Sequence, residues 1–243
     1  MESFDHLLDP KTINLLAPFG IDNKLFYVNE EIILNTWLVL FIILLLVLVL
    51  RYYTRKKRSI GRSIAISIVS AFIDLTTETL GAFHYNHTVF IGSIFIFILI
   101  CNCIVVIPGA DEPTRDLNTT IALGAISFLY KEYFSIKAHG FLGYLKEFTH
   151  PFAVMFPLNV IGHLSKVVSL SFRLFGNIFG GAIISTIYKG FITSSIIYQL
   201  AGLFSGLNLI VLLFFGIFEG LIQAFVFAML SLTYLSIALQ GEE

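Results

Sequence analysis

The sequence predicts an all-α polytopic membrane protein with about five membrane-crossing helices and one amphipathic helix at the cytoplasmic surface. Three observations carry this expectation. Hydrophobic residues make up 57% of the 243 positions and charged residues only 13%, against roughly 25% charged in soluble domains. Mean hydropathy is +0.88. Several apolar runs also reach the ~20 residues that a helix needs to cross the hydrocarbon core. The net charge of -1 leaves no basic face or stripe for nucleic acid, which is excluded as a partner.

The elements follow in chain order. The amino terminus, MESFDHLLDPK, is acidic and lacks the basic region of a signal peptide, so no cleavage is expected. The first span, IILNTWLVLFIILLLVLVL (32–50), is uncharged, and RYYTRKKRSIGR (51–62) follows it with six basic residues. That charge pins its end in the cytoplasm and puts the amino terminus outside. In SIAISIVSAFIDLTTETLGAF (63–83), Asp74 and Glu78 lie four apart on one helical face, which suits a helix lying on the cytoplasmic surface. The second span (88–108) runs outward to the acidic turn PGADEPTRD (108–116), and a shorter third, from Leu117 to Tyr130, returns to a mildly basic inner loop, 131–148. Two regions, 151–188 and about 196–239, exceed one perpendicular crossing and are expected to be strongly tilted or bent.

The expected organisation is therefore an extracytoplasmic segment (1–31), a first span with its basic end (32–62), the interfacial helix (63–86) and a transmembrane hairpin (87–137). A cytoplasmic loop (138–150), two long tilted helices (151–239) and a cytoplasmic tail (240–243) complete it. No internal repeat is visible. Cys101 and Cys103 sit two apart inside a span, where a helix points them to different sides, so they read as small buried residues rather than metal ligands.

Polar residues inside the long helices point to function. From Pro151 to Tyr188 the charged residues are Lys166 and Arg173, and a guanidinium in hydrocarbon costs roughly 2.5 to 3.5 kcal/mol by insertion scales. Lys166, Ser169, Arg173 and Asn177 form one polar stripe at spacings of three and four, with Gly176, Gly180 and Gly181 beside it to admit a close neighbour. Arg173 either pairs with an internal carboxylate or faces water or a moving charged partner. It does not deprotonate in proteins, so it serves as a fixed electrostatic gate rather than a relay. In the last helix Glu219 and Gln223 are stacked four apart. Glu219 is either a relay acid or the partner of Lys166 or Arg173, while His163 is either a titrating group reached by water or a satisfied core histidine.

Three stretches, VSLSFRLFGN (168–177), PTRDLNTTIAL (113–123) and LIQAFVFAMLSLTYLS (221–236), resemble in content and order the signature regions of subunit a of F-type ATP synthases. IGSIFIFILICNCIVVIPG (91–109) matches more weakly, so the resemblance covers roughly Ser63 to Ser236. It implies a stator standing against a rotating ring of c subunits, with b-type stalk subunits and the rest of the synthase as partners, in a bacterial cytoplasmic membrane or that of an organelle. It also implies two half-channels for H+, or for Na+, and no cofactor or metal. By the same resemblance Arg173 is the essential arginine facing the ring carboxylates, Asn177 the polar residue one turn on, and Gln223 the glutamine on the facing helix. Asp116, Asn118 and Thr119 match the motif that opens the third span, and Lys166 a lysine often found upstream of the arginine.

Departures from the family pattern fall on the ion path. Ala182, Gly162, His163 and Gly216 occupy positions where many members carry an acid or other polar group, so Glu219 and His163 are expected to replace the missing acids together. The chain contains no GxxxxGK[ST] phosphate loop, so ATP chemistry is expected elsewhere in the complex and this chain is not expected to be an enzyme on its own. A secondary transporter or channel of another class is the competing expectation, and it calls for paired halves or broken helices.

Overall fold

A computed structural model of the chain describes residues 12–14, 27–55, 60–107, 109–149, 152–204 and 206–240. Most of the 1–31 segment, residues 56–59 with three of the six basic residues of 51–62, and the tail 241–243 lie outside the described residues.

Short strands β1 (Thr12–Asn14) and β2 (Tyr27–Asn29) pair antiparallel, with Ile13 opposite Val28. All longer described elements are helical. Helix α1 (Glu30–Thr54) starts where the Asn29 side chain accepts the Glu31 N–H at 3.0 Å, with Glu30 and Glu31 in its first turn and Arg51 in its last, as the helix dipole favours. Val39 is its one fully buried side chain, with Ile43 packed beside it against α3, and much of the remaining apolar surface is exposed, as contact with lipid allows. Helix α2 (Ile60–Leu80) buries Ala65 and Thr76 and leaves Asp74 and Glu78 exposed. Thr76 and Thr88 share a buried hydroxyl hydrogen bond of 2.8 Å that ties α2 to α3 (Tyr85–Cys103).

Helix α4 (Leu117–Thr149) is broken at Gly140, whose φ of 72° a side chain would resist. Helix α5 (Phe156–Thr193) runs 38 residues, about 57 Å of rod, against a hydrocarbon core of about 30 Å. After the short α6 (Ile196–Phe204) the chain turns at Gly206 (φ 68°) into α7 (Leu207–Val211), a π-helical stretch (Leu212–Phe218) and α8 (Glu219–Gln240). These last three form one rod of 34 residues.

Five helical stretches are long and apolar enough to cross a bilayer: Glu30–Thr54, Ile60–Leu80, Tyr85–Val106, Phe156–Thr193 and Leu207–Gln240. The number agrees with the sequence expectation, but the membership differs. Ile60–Leu80, read from the sequence as interfacial, is in the set. Leu117–Thr149 is not, because Asn118, Thr119, Thr120, Lys131 and Glu132 dilute its apolar run. Those polar groups do not face lipid as a group: Thr120, Lys131 and Glu132 are buried where α4 packs on α5 and α8. The core sits among α3, α4, α5 and α8, where Ile94, Ile98, Leu123, Leu174 and Phe227 meet. It fixes the rotation of α5 about its own axis, because Leu170, Leu174 and Ile178 must point inward.

Candidate functional site

Burying Leu170, Leu174 and Ile178 leaves the other side of α5 outward. Ser169, Arg173 and Gly176 are exposed there, Gly180 is half-buried, and a Cβ added at Gly176 or Gly180 would meet nothing within 4 Å. Among the described residues no ion pair or hydrogen bond engages Arg173. The reading in which an internal carboxylate neutralises it therefore has no counterpart in this arrangement. A guanidinium on an uncovered face of a lipid-embedded rod calls for an anion from outside the chain.

The rest of the polar stripe turns toward α8. Asn177 Nδ2 donates to Gln223 Oε1 at 2.7 Å, joining the two helices one turn from the arginine. Gln223 is 2% exposed and its Nε2 is buried without a partner among the described residues. Lys166 points its ammonium at the Tyr234 ring, 5.8 Å from the centroid. It lines a hollow of about 20 Å³ with Lys131, Ser127 and Ser231.

Glu219 sits at the junction of the π stretch and α8. Its backbone N–H bonds to the Phe214 carbonyl, five residues back, and such π turns occur often at functional sites. Its carboxylate fills the niche left by Gly181: a Cβ there would come 3.0 Å from Oε2 and 3.3 Å from the Phe215 ring. Position 216 offers no such room, since a Cβ on Gly216 would stand 2.8 Å from Val105. Glu219 Oε2 is buried and has no hydrogen-bond partner among the described residues, and no ion pair links it to Lys166 or Arg173.

His163 belongs to a different cluster. Glu132 Oε1 receives Lys131 Nζ at 2.7 Å and lies 3.2 Å from His163 Nδ1, which is itself 3.3 Å from Lys131 Nζ. The imidazole Nδ1 either accepts from the ammonium or donates to the carboxylate, so the cluster has two alternative proton arrangements. The Phe148 ring lies 4.6 Å from the imidazole. His163 and Glu219 are not brought together. His163 precedes Arg173 by ten residues and Gly181 follows it by eight, about 15 Å and 12 Å along the rod in opposite directions.

Asp116 is a helix cap: Oδ2 accepts the Thr119 N–H at 3.1 Å and the Thr119 hydroxyl at 3.4 Å. Asn118 is exposed on the first turn of α4. Five further polar residues, not singled out in the sequence, complete the region. Besides Lys131 and Glu132, Asn102 donates to the Gly220 carbonyl at 3.1 Å and accepts Thr114 Oγ1 at 2.6 Å, bracing the 104–116 loop and α3 against α8. Glu112 is 9% exposed. Burial pushes its carboxyl up, while its own backbone N–H, Arg115 and Lys189 pull it down. The polarity of Asn102 between two cysteines in an apolar span was the one signal that a sequence reading had available for it.

A profile of the ATP synthase A chain matches residues 33–236. Similar proteins include ATP synthase subunit a of Moorella thermoacetica, 33% identical over 213 residues, covering 86% of this chain and 90% of that protein. ATP synthase subunit a of Aliarcobacter butzleri is 34% identical over 225 residues, covering 88% and 92%. ATP synthase subunit a 2 of Picosynechococcus sp. is 31% identical over 231 residues, covering 91% and 93%.

Proposed function

Since this chain belongs to the ATP synthase A chain family, we propose that it works as a stator passing H+ to and from the carboxylates of a rotating c ring. The protons travel through two half-paths that each reach partway across the membrane. As a member of that family it is a multi-pass membrane component of the F-type ATP synthase.

The observation that carries the proposal is Arg173, exposed and without an ion pair or hydrogen bond among the described residues, between two separate polar sites. A ring carboxylate arriving from lipid is protonated, because an anion there is costly, and beside a fixed cation the ionised form is favoured. Arg173 thus makes proton departure into one half-path possible and keeps a protonated carboxyl from passing directly to the other. Gly176 and Gly180, open to the outside, let a ring helix approach closely. The Asn177 to Gln223 bond holds α5 and α8 in register behind the arginine. Glu219 serves the half-path on the side of the 104–116 loop, and His163 with Glu132 and Lys131 serves the other. One charge crossing the full potential releases about 2.3 kcal/mol per 100 mV, and rotation collects several such steps for each ATP.

On this reading Ile60–Leu80, with Asp74 and Glu78 exposed, lies along the cytoplasmic surface and the start of α4, its polar groups buried against α5 and α8, crosses; with the six basic residues of 51–62 in the cytoplasm, the amino terminus and 104–116 loop are then outside and the carboxyl terminus inside. Partners are the c ring, b-type stalk subunits and the rest of the synthase. Na+ in place of H+ is tested by vesicle pumping with and without sodium. The direct test of function is Arg173→Ala in the whole complex: ATP synthesis vanishes while the complex still assembles. Retained synthesis defeats the gating role, and purification of the chain alone, without ring or stalk, would favour a transporter.

A further inference from the structure

We propose that Glu112 is the acid that passes protons from the outer surface into the half-path leading to Glu219, because its side chain forms the wall shared by two cavities. This rests on the stator reading above and adds to it the residue at the path's outer end.

The first cavity, about 170 Å³, is a surface hollow lined by Glu31, Asp111, Glu112, Arg115 and Asp116. The second, about 250 Å³, is lined by Glu112, Ser185, Tyr188, Lys189 and Asn208 and also by Phe215 and the buried Gly216. Glu219 lies on the next turn, and its buried oxygen and the Phe215 ring press on the same glycine, Gly181. Four carboxylates around the outer hollow lower the local potential and raise the local proton concentration. The inner cavity is lined by hydroxyl, amide and ammonium groups that can order the water through which a proton moves onward. Glu112 is the one acid that touches both.

Its position is fixed by local structure. Pro113 opens a helical turn (Pro113–Arg115), Pro113 and Thr114 are buried, and Thr114 is bonded to Asn102, which is bonded to Gly220. The charged and titratable groups that face Glu112 are Asp111 and Arg115 on its own loop, Asp116 at the start of α4, Glu31 on α1, and Tyr188 and Lys189 on α5. Burial, with Asp111, holds its carboxyl above the usual carboxylate range, while its own backbone N–H, Arg115 and Lys189 act the other way. The step is balanced. A proton from water in the outer hollow binds the Glu112 carboxylate, the carboxyl releases that proton to water in the inner cavity, and the anion is restored; during ATP hydrolysis the order reverses.

The experiment uses the assembled synthase in vesicles, with ATP synthesis followed against the pH of the outer medium. A positioned proton-transfer group is worth ~10²-fold or more, and with water carrying part of the flow Glu112→Gln is expected to slow synthesis roughly tenfold. It also flattens the outer-pH dependence, and Glu112→Asp recovers most of the rate. Lys189→Met removes one of the two cations that favour the anion, so it shifts the profile to higher outer pH, and Glu112→Gln in the same chain abolishes that shift. Wild-type rates in Glu112→Gln, or an unmoved profile in Lys189→Met, overturn the proposal. If Glu112→Gln fails to assemble, the Lys189→Met profile decides alone. Arg173→Ala run in parallel separates the two levels: loss there with a wild-type Glu112→Gln defeats only this inference, while retained synthesis in Arg173→Ala defeats the stator reading itself.

Discussion

The two ends of α5 treat charge differently. On the amino-terminal side of Arg173, Glu132 is already paired with Lys131 and His163 at 2.7 and 3.2 Å. On the carboxyl-terminal side Glu219 is alone, its Oε2 buried against Gly181, with a cavity one turn away. A paired cluster holds its proton in two arrangements and keeps the Glu132 to Lys131 pair when His163 is lost. A lone carboxyl has no neighbouring side chain among the described residues to take over its proton. The difference teaches that Glu219 and His163 stand in two unlike settings, one on each side of the arginine, rather than in one shared site, and under the proposed stator role each would stand in for a missing acid in its own way.

Glu219→Gln breaks the comparison most severely. It leaves no titrating group in the niche, and ATP-driven proton pumping is expected to fall by ~10²-fold or more, whereas His163→Ala, which spares the Glu132 to Lys131 pair, costs far less. Equal losses in the two variants, measured by dye quenching in vesicles, would erase the distinction. Glu132→Gln has its main effect on stability. It strands a Lys131 side chain that is 8% exposed, and removing one partner of a buried pair costs about 3 to 5 kcal/mol. The expected readout is a lower unfolding midpoint for the detergent-solubilised complex, and an unchanged midpoint would mean that the pair is solvated.

Gln223→Leu removes the acceptor of the 2.7 Å bond from Asn177. A buried donor left unsatisfied costs about 1 to 3 kcal/mol, and a half-exposed link such as this one falls at the lower end. Synthesis is expected to drop several-fold without vanishing, because water replaces part of the contact; complete loss would assign Gln223 a direct part in proton transfer. Smallest is Asp116→Ala, which deletes a helix cap worth about 1 kcal/mol. Its thermal stability should fall slightly while pumping stays near wild type. A large pumping defect at normal stability would return Asp116 to the ion path that its motif suggested.

Much of the arrangement was legible in residue spacing. A stripe at intervals of three and four forces Ser169 and Arg173 onto one face, and the long apolar regions around 151–188 and 196–239 appear as the rods Phe156–Thr193 and Leu207–Gln240. What stayed hidden depends on how helices pack across the chain. Adjacent opposite charges such as Lys131 and Glu132 read as a solvated loop, and only the packing of α4 on α5 reveals His163 between them. Glu112 looks like one more acid in an acidic turn until the loop folds over α5 and closes it in. The π stretch Leu212–Phe218 has no sequence mark at all, yet it is where the rod delivers Glu219 to Gly181. The meeting of Asn177 with Gln223 lay between these cases: the family resemblance implied a glutamine on the helix facing the arginine, and the packing adds its bond to Asn177.

The central claim is that the face of α5 carrying Arg173 meets the rotor, and cysteine cross-linking tests it most directly. Cysteines placed singly at Ser169 and Gly180, on the outward face, should cross-link to a cysteine near the carboxylate of a ring helix. Cysteines at Leu174 and Ile178, 0% and 5% exposed inside the chain, should not. Cross-links from the buried pair, or none from the outward pair in an assembled and active complex, would contradict it.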